Sequence, residues 1–295
     1  MIEDELAFVE WIRRHAPPHE ALRTGPGDDM AVVVLDGGKT VLVASDQLLA
    51  GVHFDPQRDP PDLVGRKAVG CCLSDCAAMA VRPMAMTLSI AWPTDRPFEE
   101  ACRILEGAWT LASTFDVPLA GGDTTRWKHP AAVDIAVVAA PYAGIEPVRR
   151  SGAKPGDGLF VTGRLGGSRL GKHLRFTPRV VEARELAAAL GSRLHAMIDL
   201  SDGLSLDLWR VCKASGVGAR LFESALAEVV SDDARTCART SGKTVLEHVL
   251  GDGEDFELLF AADGEVSAAG IQAYRIGEIV EGEGMTLVAP DGRET

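Results

Sequence analysis

Aromatic residues are scarce in this sequence, 5% of its 295 positions, and no apolar run is long enough to cross a bilayer. The longest apolar stretches, Met84 to Trp92 and Ala131 to Tyr142, fall short of the roughly 20 residues a spanning helix needs, and Asp134 interrupts the second. A membrane partner is therefore not expected. The N-terminus reads Met-Ile-Glu-Asp-Glu, with no basic stretch ahead of an apolar run, so no secretory signal is read and a cytoplasmic location is expected. The six cysteines (Cys71, Cys72, Cys76, Cys102, Cys212 and Cys237) form no Cys-x-x-Cys pair, which argues against a zinc site or a disulfide framework and for reduced, buried thiols. Positive charge is also in deficit. With 43 acidic and 30 basic residues the net charge is −13, which speaks against nucleic acid as a partner.

The familiar nucleotide signatures are missing as well. Gly166-Gly167-Ser168-Arg169-Leu170-Gly171-Lys172 approaches a phosphate-binding loop, but His173 stands where a metal-binding Ser or Thr belongs. No Gly-x-Gly-x-x-Gly opens a helix, no protein-kinase motif set appears, and Asp199 to Asp207 lacks the alternating ligands of a calcium loop.

What is present is a 46% hydrophobic chain, long enough for two cores. Leu6, Val9 and Ile12 predict an amphipathic helix over Glu3 to His15, ended by Pro17-Pro18. The β-branched runs Met30 to Leu35 and Thr40 to Ser45, joined through Asp36-Gly37-Gly38, predict a hairpin. Helices follow at Leu63 to Ala80 and Pro97 to Phe115, and strands at Met84 to Ala91 and Ala131 to Ala139. The pattern restarts near Arg149-Arg150-Ser151-Gly152. Beyond it come a strand at Gly158 to Thr162, helices at Val180 to Leu190 and Leu204 to Ala214, and strands at Met197 to Leu200, Leu258 to Ala261 and Tyr274 to Ile279. Two sequential α/β domains are expected, residues 1–148 and 149–295, an α+β arrangement rather than one continuous sheet.

Aspartates recur beside glycine or after apolar strands: Asp28-Asp29, Asp46, Asp75, Asp123, Asp199, Asp202 and Glu254-Asp255. Any one such Asp is an ordinary turn residue. Six motifs of this kind, with Asp199 and Asp202 sharing one, would if convergent repel one another and any phosphate unless cations intervene. Hard divalent ions with oxygen ligands meet that need, and Mg²⁺ with a few carboxylates, waters and substrate phosphates suits phosphoryl transfer.

In their order these motifs resemble the thiamine-monophosphate kinases, of the superfamily that includes aminoimidazole ribonucleotide synthetase and selenophosphate synthetase. The resemblance is carried by Gly-Pro-Gly-Asp28-Asp29, Ser45-Asp46-Gln47 through Gly51-Val52-His53-Phe54, Leu73-Ser74-Asp75, Gly121-Gly122-Asp123-Thr124-Thr125, Arg150-Ser151-Gly152-Ala153-Lys154-Pro155-Gly156-Asp157, Ile198-Asp199-Leu200-Ser201-Asp202-Gly203 and Gly253-Glu254-Asp255-Phe256-Glu257. It implies an N-terminal domain whose sheet pairs with that of a second copy in a homodimer, a C-terminal domain beside it, and an active site in the cleft between. Asp29, Ser45, Asp46, Asp75, Asp123, Asp199 and Asp202 would hold several Mg²⁺ ions. Asp46, Gly122, Asp123, Arg150 and Ser201 would contact ATP, and His53 and Glu254 would face thiamine phosphate.

The implied reaction passes the γ-phosphoryl group of ATP in line to the phosphate of thiamine phosphate. That acceptor oxygen is already anionic, so no side chain need act as a general base, and positioning and charge neutralisation carry the rate. His53 is thus no obligatory catalyst, and Trp127 and Trp209 read as packing residues. Ala44 stands where the family often has a hydroxyl. The family's closing Gly-Phe/Tyr-Asp-His-Phe segment has no counterpart here, since no aromatic residue follows Tyr274, and Phe256 and Trp127 are the candidates to cover the thiamine. A selenophosphate synthetase should carry Cys and Lys in its first segment, and Met1 to Gly27 has neither; hydrogenase-maturation relatives end in a functional Cys, and this sequence ends Gly-Arg-Glu-Thr. An aminoimidazole ribonucleotide synthetase-like enzyme and a non-catalytic nucleotide- or metal-binding homologue are the alternatives.

Overall fold

A computed structural model describes residues 5–266 and 270–295, so the expected helix start at Glu3 lies outside the described residues. In chain order the first half holds α1 (Glu5–His15), β1 (Leu22–Thr24), β2 (Ala31–Val34), β3 (Thr40–Leu49), α2 (Pro61–Ala78) and β4 (Val81–Pro93). It continues with α3 (Phe98–Thr114), β5 (Leu119–Gly121), β6 (Thr124–Trp127) and β7 (Ala132–Pro141). The second half holds β8 (Gly158–Thr162), α4 (Lys172–Arg175), α5 (Val180–Leu190), β9 (Leu194–Asp199), α6 (Leu204–Ser215) and β10 (Gly218–Phe222). After these come α7 (Glu223–Leu226), α8 (Asp232–Ala238), α9 (Val245–Gly251), β11 (Leu258–Ala262), β12 (Ala273–Val280) and β13 (Met285–Val288).

Two mixed sheets result, one from each half. The first runs β1-β2-β3-β7-β4-β5, with β6 also on β4; the second runs β13-β10-β12-β8-β11-β9. The expected hairpin forms as β2 and β3, paired from Ala31 with Val43 to Val34 with Thr40. In β3 the side chains alternate, Leu42 and Leu48 buried on one face, Val43, Ser45 and Gln47 exposed on the other. The covered face carries α2 and α3. Helix α3 places Ala101, Ile104, Ala108, Leu111 and Ala112 at helical spacing on one buried stripe. At its crossing with α2 the backbones touch: a Cβ on Gly107 would lie 1.8 Å from the Asp62 carbonyl oxygen, and one on Gly65 would lie 1.7 Å from that of Ile104.

Helix α2 is buried around nearly its whole circumference, which explains its weak amphipathicity. It packs on β3 and β7 of the first sheet and on α5, α4 and β9 of the second half. In the second sheet β8 and β11 are buried along their whole length, and they read as unbroken apolar runs for that reason. Phe160, Phe260, Leu258 and Met197 point into the core shared with α2, while Leu159, Val161, Leu259, Ala261, Ala196 and Ile198 point into a second core with α6. One hydrophobic core therefore spans both sheets, with α2 at its centre. No described helix is long and apolar enough to cross a membrane.

Candidate active site

Three aspartates meet where the two halves join. Asp29 precedes β2, Asp75 sits in the last turn of α2, and Asp199 ends β9; each offers a carboxylate oxygen within 4.8 Å of the others. The motifs that carry them are sequence neighbours of none of the others, so tertiary packing of α2 between the sheets assembles the group. Burial, then the neighbouring carboxylates, pushes the proton affinity of Asp75 and Asp199 well above the usual carboxylate range. Asp199 also accepts a hydrogen bond from Ser74 Oγ at 2.6 Å. Asp29 is gripped by Arg150, whose Nη2 and Nε donate to its two oxygens at 2.7 and 3.1 Å. Asp28 turns the other way, accepting the Arg150 amide at 3.2 Å, and burial with the Asp29 charge raises it to about 6.

Asp46, on β3 beside this group, is likewise pushed up to about 6, first by burial and then by Asp134 and Asp29 against a Cys72 hydrogen bond. Several carboxylates held so close, with their charged forms disfavoured, are a donor set that fits a hard divalent cation such as Mg²⁺.

The group opens into a cavity of about 460 Å³ lined by Asp46, Gln47, Leu48, Val52, His53, Cys71, Asp75, Arg169, Asp199, Ser201, Asp202, Gly253, Glu254 and Phe256. His53 is fixed in its wall: the Leu49 amide donates to its Nδ1 at 3.0 Å, and its carbonyl accepts from Lys67 Nζ at 2.8 Å. Lys67, on α2, is fully buried and its ammonium also pairs with the Glu254 carboxylate. Glu254 and Phe256 both adopt positive φ, +63° and +49°, in the loop before β11. Phe256 stacks on Phe176 with ring centroids 4.0 Å apart, so of the two aromatic candidates it is the one at the cavity. Trp127 lies instead on the edge strand β6, against His129.

The remaining expected residues are distributed more widely. Ser201 lies in the cavity wall, and its carbonyl accepts the Glu254 amide at 2.7 Å. Asp202 stands at the mouth, half exposed and bonded to Arg210 Nη1 at 2.6 Å. Ser45 precedes Asp46 on β3, so its hydroxyl leaves on the opposite, exposed face. Gly122 and Asp123 link β5 to β6, exposed, with β7 and β4 between them and Asp46. The structure does not bring Asp123 or the Ser45 hydroxyl to the Asp29–Asp75–Asp199 group. The glycine-rich loop is not a phosphate cradle, because the amides of Gly166 and Gly167 are taken by the Asp255 and Asp252 carboxylates at 2.8 and 2.7 Å. It braces the loop that carries Glu254.

Sequence reasoning missed Lys67, Cys71 and Arg169. The signal for Lys67 was slight: it stands with Arg66 inside the otherwise apolar stretch Val64 to Val69.

Two family models, the N-terminal and C-terminal domains of AIR synthase related proteins, match residues 27–141 and 148–290. The chain is thus an AIR synthase related protein in both of its halves. The chain is 37% identical over 296 residues to the thiamine-monophosphate kinase of Rhodopirellula baltica, with 95% of this chain and 91% of the relative covered. It is 36% identical over 298 residues to that of Salmonella typhimurium, covering 90% and 87%. Among solved structures, thiamine monophosphate kinase from Aquifex aeolicus superposes with a TM-score of 0.84 at 25% identity, over 100% of this chain and 99% of the other. A structure described as AaThiL complexed with AMPPCP and TMP also gives 0.84, at 26% identity, over 99% and 94%. The chain belongs to the thiamine-monophosphate kinase family.

Proposed function

We propose that this protein is a kinase that transfers the γ-phosphoryl group of ATP to thiamine phosphate, giving thiamine diphosphate. The observation that carries the reading is the convergence of Asp29, Asp75 and Asp199 beside Asp46, in a chain of this family. Those four carboxylates, with Asp202 at the mouth, would hold Mg²⁺ ions. Bound there, Mg²⁺ supplies charge neutralisation of the phosphates. The side chains do the positioning. His53 and Glu254 hold the acceptor on the cavity side, with Phe256 as the flat apolar contact for its rings. Arg150, which grips Asp29 at the edge of this group, would contact the nucleotide phosphates together with Ser201. No side chain serves as a general base, because the attacking phosphate oxygen carries its charge already.

We also divide the chain into functional units at 148/149, and read the open face of the first sheet, where Val43, Met84 and Val138 are exposed, as the surface that pairs two copies. Gly122 and Asp123 lie on that same sheet and complete nucleotide binding in the assembled enzyme. The enzyme works in the cytoplasm. The test is incubation with ATP, Mg²⁺ and, in separate reactions, thiamine, thiamine phosphate and aminoimidazole precursors. Thiamine diphosphate from thiamine phosphate alone, abolished reversibly by EDTA, is the expected result. Turnover that persists after chelation and dialysis would sink the metal reading, and product only from an aminoimidazole precursor would sink the acceptor.

A further inference from the structure

Outside the carboxylate cleft, three residues around α9 are joined in one chain of hydrogen bonds. Ser241 lies in the turn between α8 and α9, His248 sits on α9, and Asp252 closes that helix. Ser241 Oγ stands 2.7 Å from His248 Nε2, and His248 Nδ1 stands 2.8 Å from Asp252 Oδ2. Neighbouring groups set the direction of these bonds. Asp252 Oδ2 also accepts the Gly167 amide at 2.7 Å, so it acts as an acceptor and the ring proton belongs on Nδ1. Nε2 of the neutral ring is then bare and takes the Ser241 hydroxyl proton, while Ser241 Oγ itself accepts the Lys243 amide at 3.2 Å. None of the three residues lines the cavity with Asp46, His53 and Glu254.

The set is built locally. His248 and Asp252 are four positions apart, about one turn, and so stand on the same side of α9. A capping box of Thr244 and Glu247 fixes where the helix begins, and the Ser241 amide is tied to the Cys237 carbonyl at 3.0 Å, so the hydroxyl is held from both directions. The imidazole is buried, whereas Ser241 is exposed. His195 makes the contrast: Asp157 holds its Nδ1 at 2.9 Å, but its Nε2 meets the Lys154 ammonium at 3.0 Å, a donor where a nucleophile would have to stand.

We propose that Ser241, His248 and Asp252 form a second, nucleophilic site that accepts the acyl group of small, unhindered carboxylic esters. It is independent of the phosphotransfer reading. Ser241 Oγ bonds to the ester carbonyl carbon as its proton passes to His248 Nε2; the C–O bond to the leaving alkoxide breaks, and that oxygen takes the proton from Nε2. Water repeats the sequence on the acyl-serine, releasing the carboxylic acid and restoring the hydroxyl. Asp252 keeps the other ring proton on Nδ1 and the ring turned to the serine. Exposure of the hydroxyl admits the ester directly from solution.

The test treats the full-length protein with p-nitrophenyl acetate and, separately, with a fluorophosphonate, following p-nitrophenolate release and mapping the modified peptide by mass spectrometry. One acetyl or phosphonyl group on Ser241, absent from Ser241→Ala, is the expected result. His248→Gln should slow both reactions at least about a hundredfold, the lower end of general-base catalysis. Because His248 is buried and its replacement can disturb α9, Ser241→Cys supplies a second reading on an intact ring. Its new thiol should alkylate with iodoacetamide several-fold faster than the exposed Cys102 of the same chain. No label on Ser241, acetylation or phosphonylation that survives Ser241→Ala at full rate, or a Ser241→Cys thiol no faster than Cys102 would overturn the proposal.

Discussion

Lys67 and Glu254 are 187 positions apart, yet the buried ammonium of the first is paired with the carboxylate of the second across the junction of the two halves. The same ammonium holds the carbonyl of His53, so one cation fixes both residues assigned to the acceptor. Lys67→Met should therefore strand Glu254 and cost about 3 kcal/mol of stability, as breaking a buried pair does. It should also raise KM for thiamine phosphate more than it lowers kcat. Thermal unfolding and steady-state kinetics measure the two effects, and a stable variant with unaltered KM would show that the pair positions nothing.

Asp75 is expected to separate folding from function. Asp75→Asn removes one of the mutually repelling carboxylates, so the metal-free protein should melt higher than its parent in EDTA. Phosphotransfer and the rise in Tm on adding Mg²⁺ should both be largely lost. A mutant with near-normal turnover would remove Asp75 from the metal set.

The same carboxylates make a sign-specific pH prediction. Asp28 and Asp46 are raised to about 6, and Asp75 and Asp199 are raised well above the usual carboxylate range, first by burial. A carboxyl with a raised folded pKa binds more protons in the native state than in the unfolded chain. Its stabilising effect is present below the ordinary carboxylate value near 4 and is lost as pH climbs through the folded value. In EDTA, Tm should accordingly fall as pH rises from about 4 through about 6, and saturating Mg²⁺ should flatten the slope. A Tm that rises over this interval without metal would contradict the electrostatic picture.

At the crossing of α2 and α3 the close approach leaves no room for a side chain. Gly107→Ala would drive a Cβ against the Asp62 backbone and should destabilise by at least about 2 kcal/mol, whereas Trp109→Ala, on the exposed side of α3, should be nearly neutral. Denaturant titration of the two variants decides.

The long helices were legible because their periodicity is strong, α5 matching its expected span from Val180 to Leu190, and β8 was legible as an unbroken apolar run from Gly158 to Thr162. Strands β1, β5, β6, β10 and β13 were not read, being three to five residues long and defined by their neighbours rather than by their own pattern. The carboxylate motifs stood out since each follows an apolar element or adjoins glycine. What spacing along the chain could not convey is which of them share a site. Asp29, Asp75 and Asp199 are joined by packing around α2, while Asp123, in an equally distinctive motif, lies two strands away from Asp46. The Lys67–Glu254 pair was invisible for the same reason.

Helix α2 belongs to both halves of the molecule at once, buried by the first sheet on one side and by α5 and β9 on the other. A spine shared in this way opposes a hinge between the halves. Closing the cleft by rotating one half against the other would tear a continuous apolar core. Exchange of substrate and product therefore falls to the rim of the cleft, where Val52 and Arg169 are exposed.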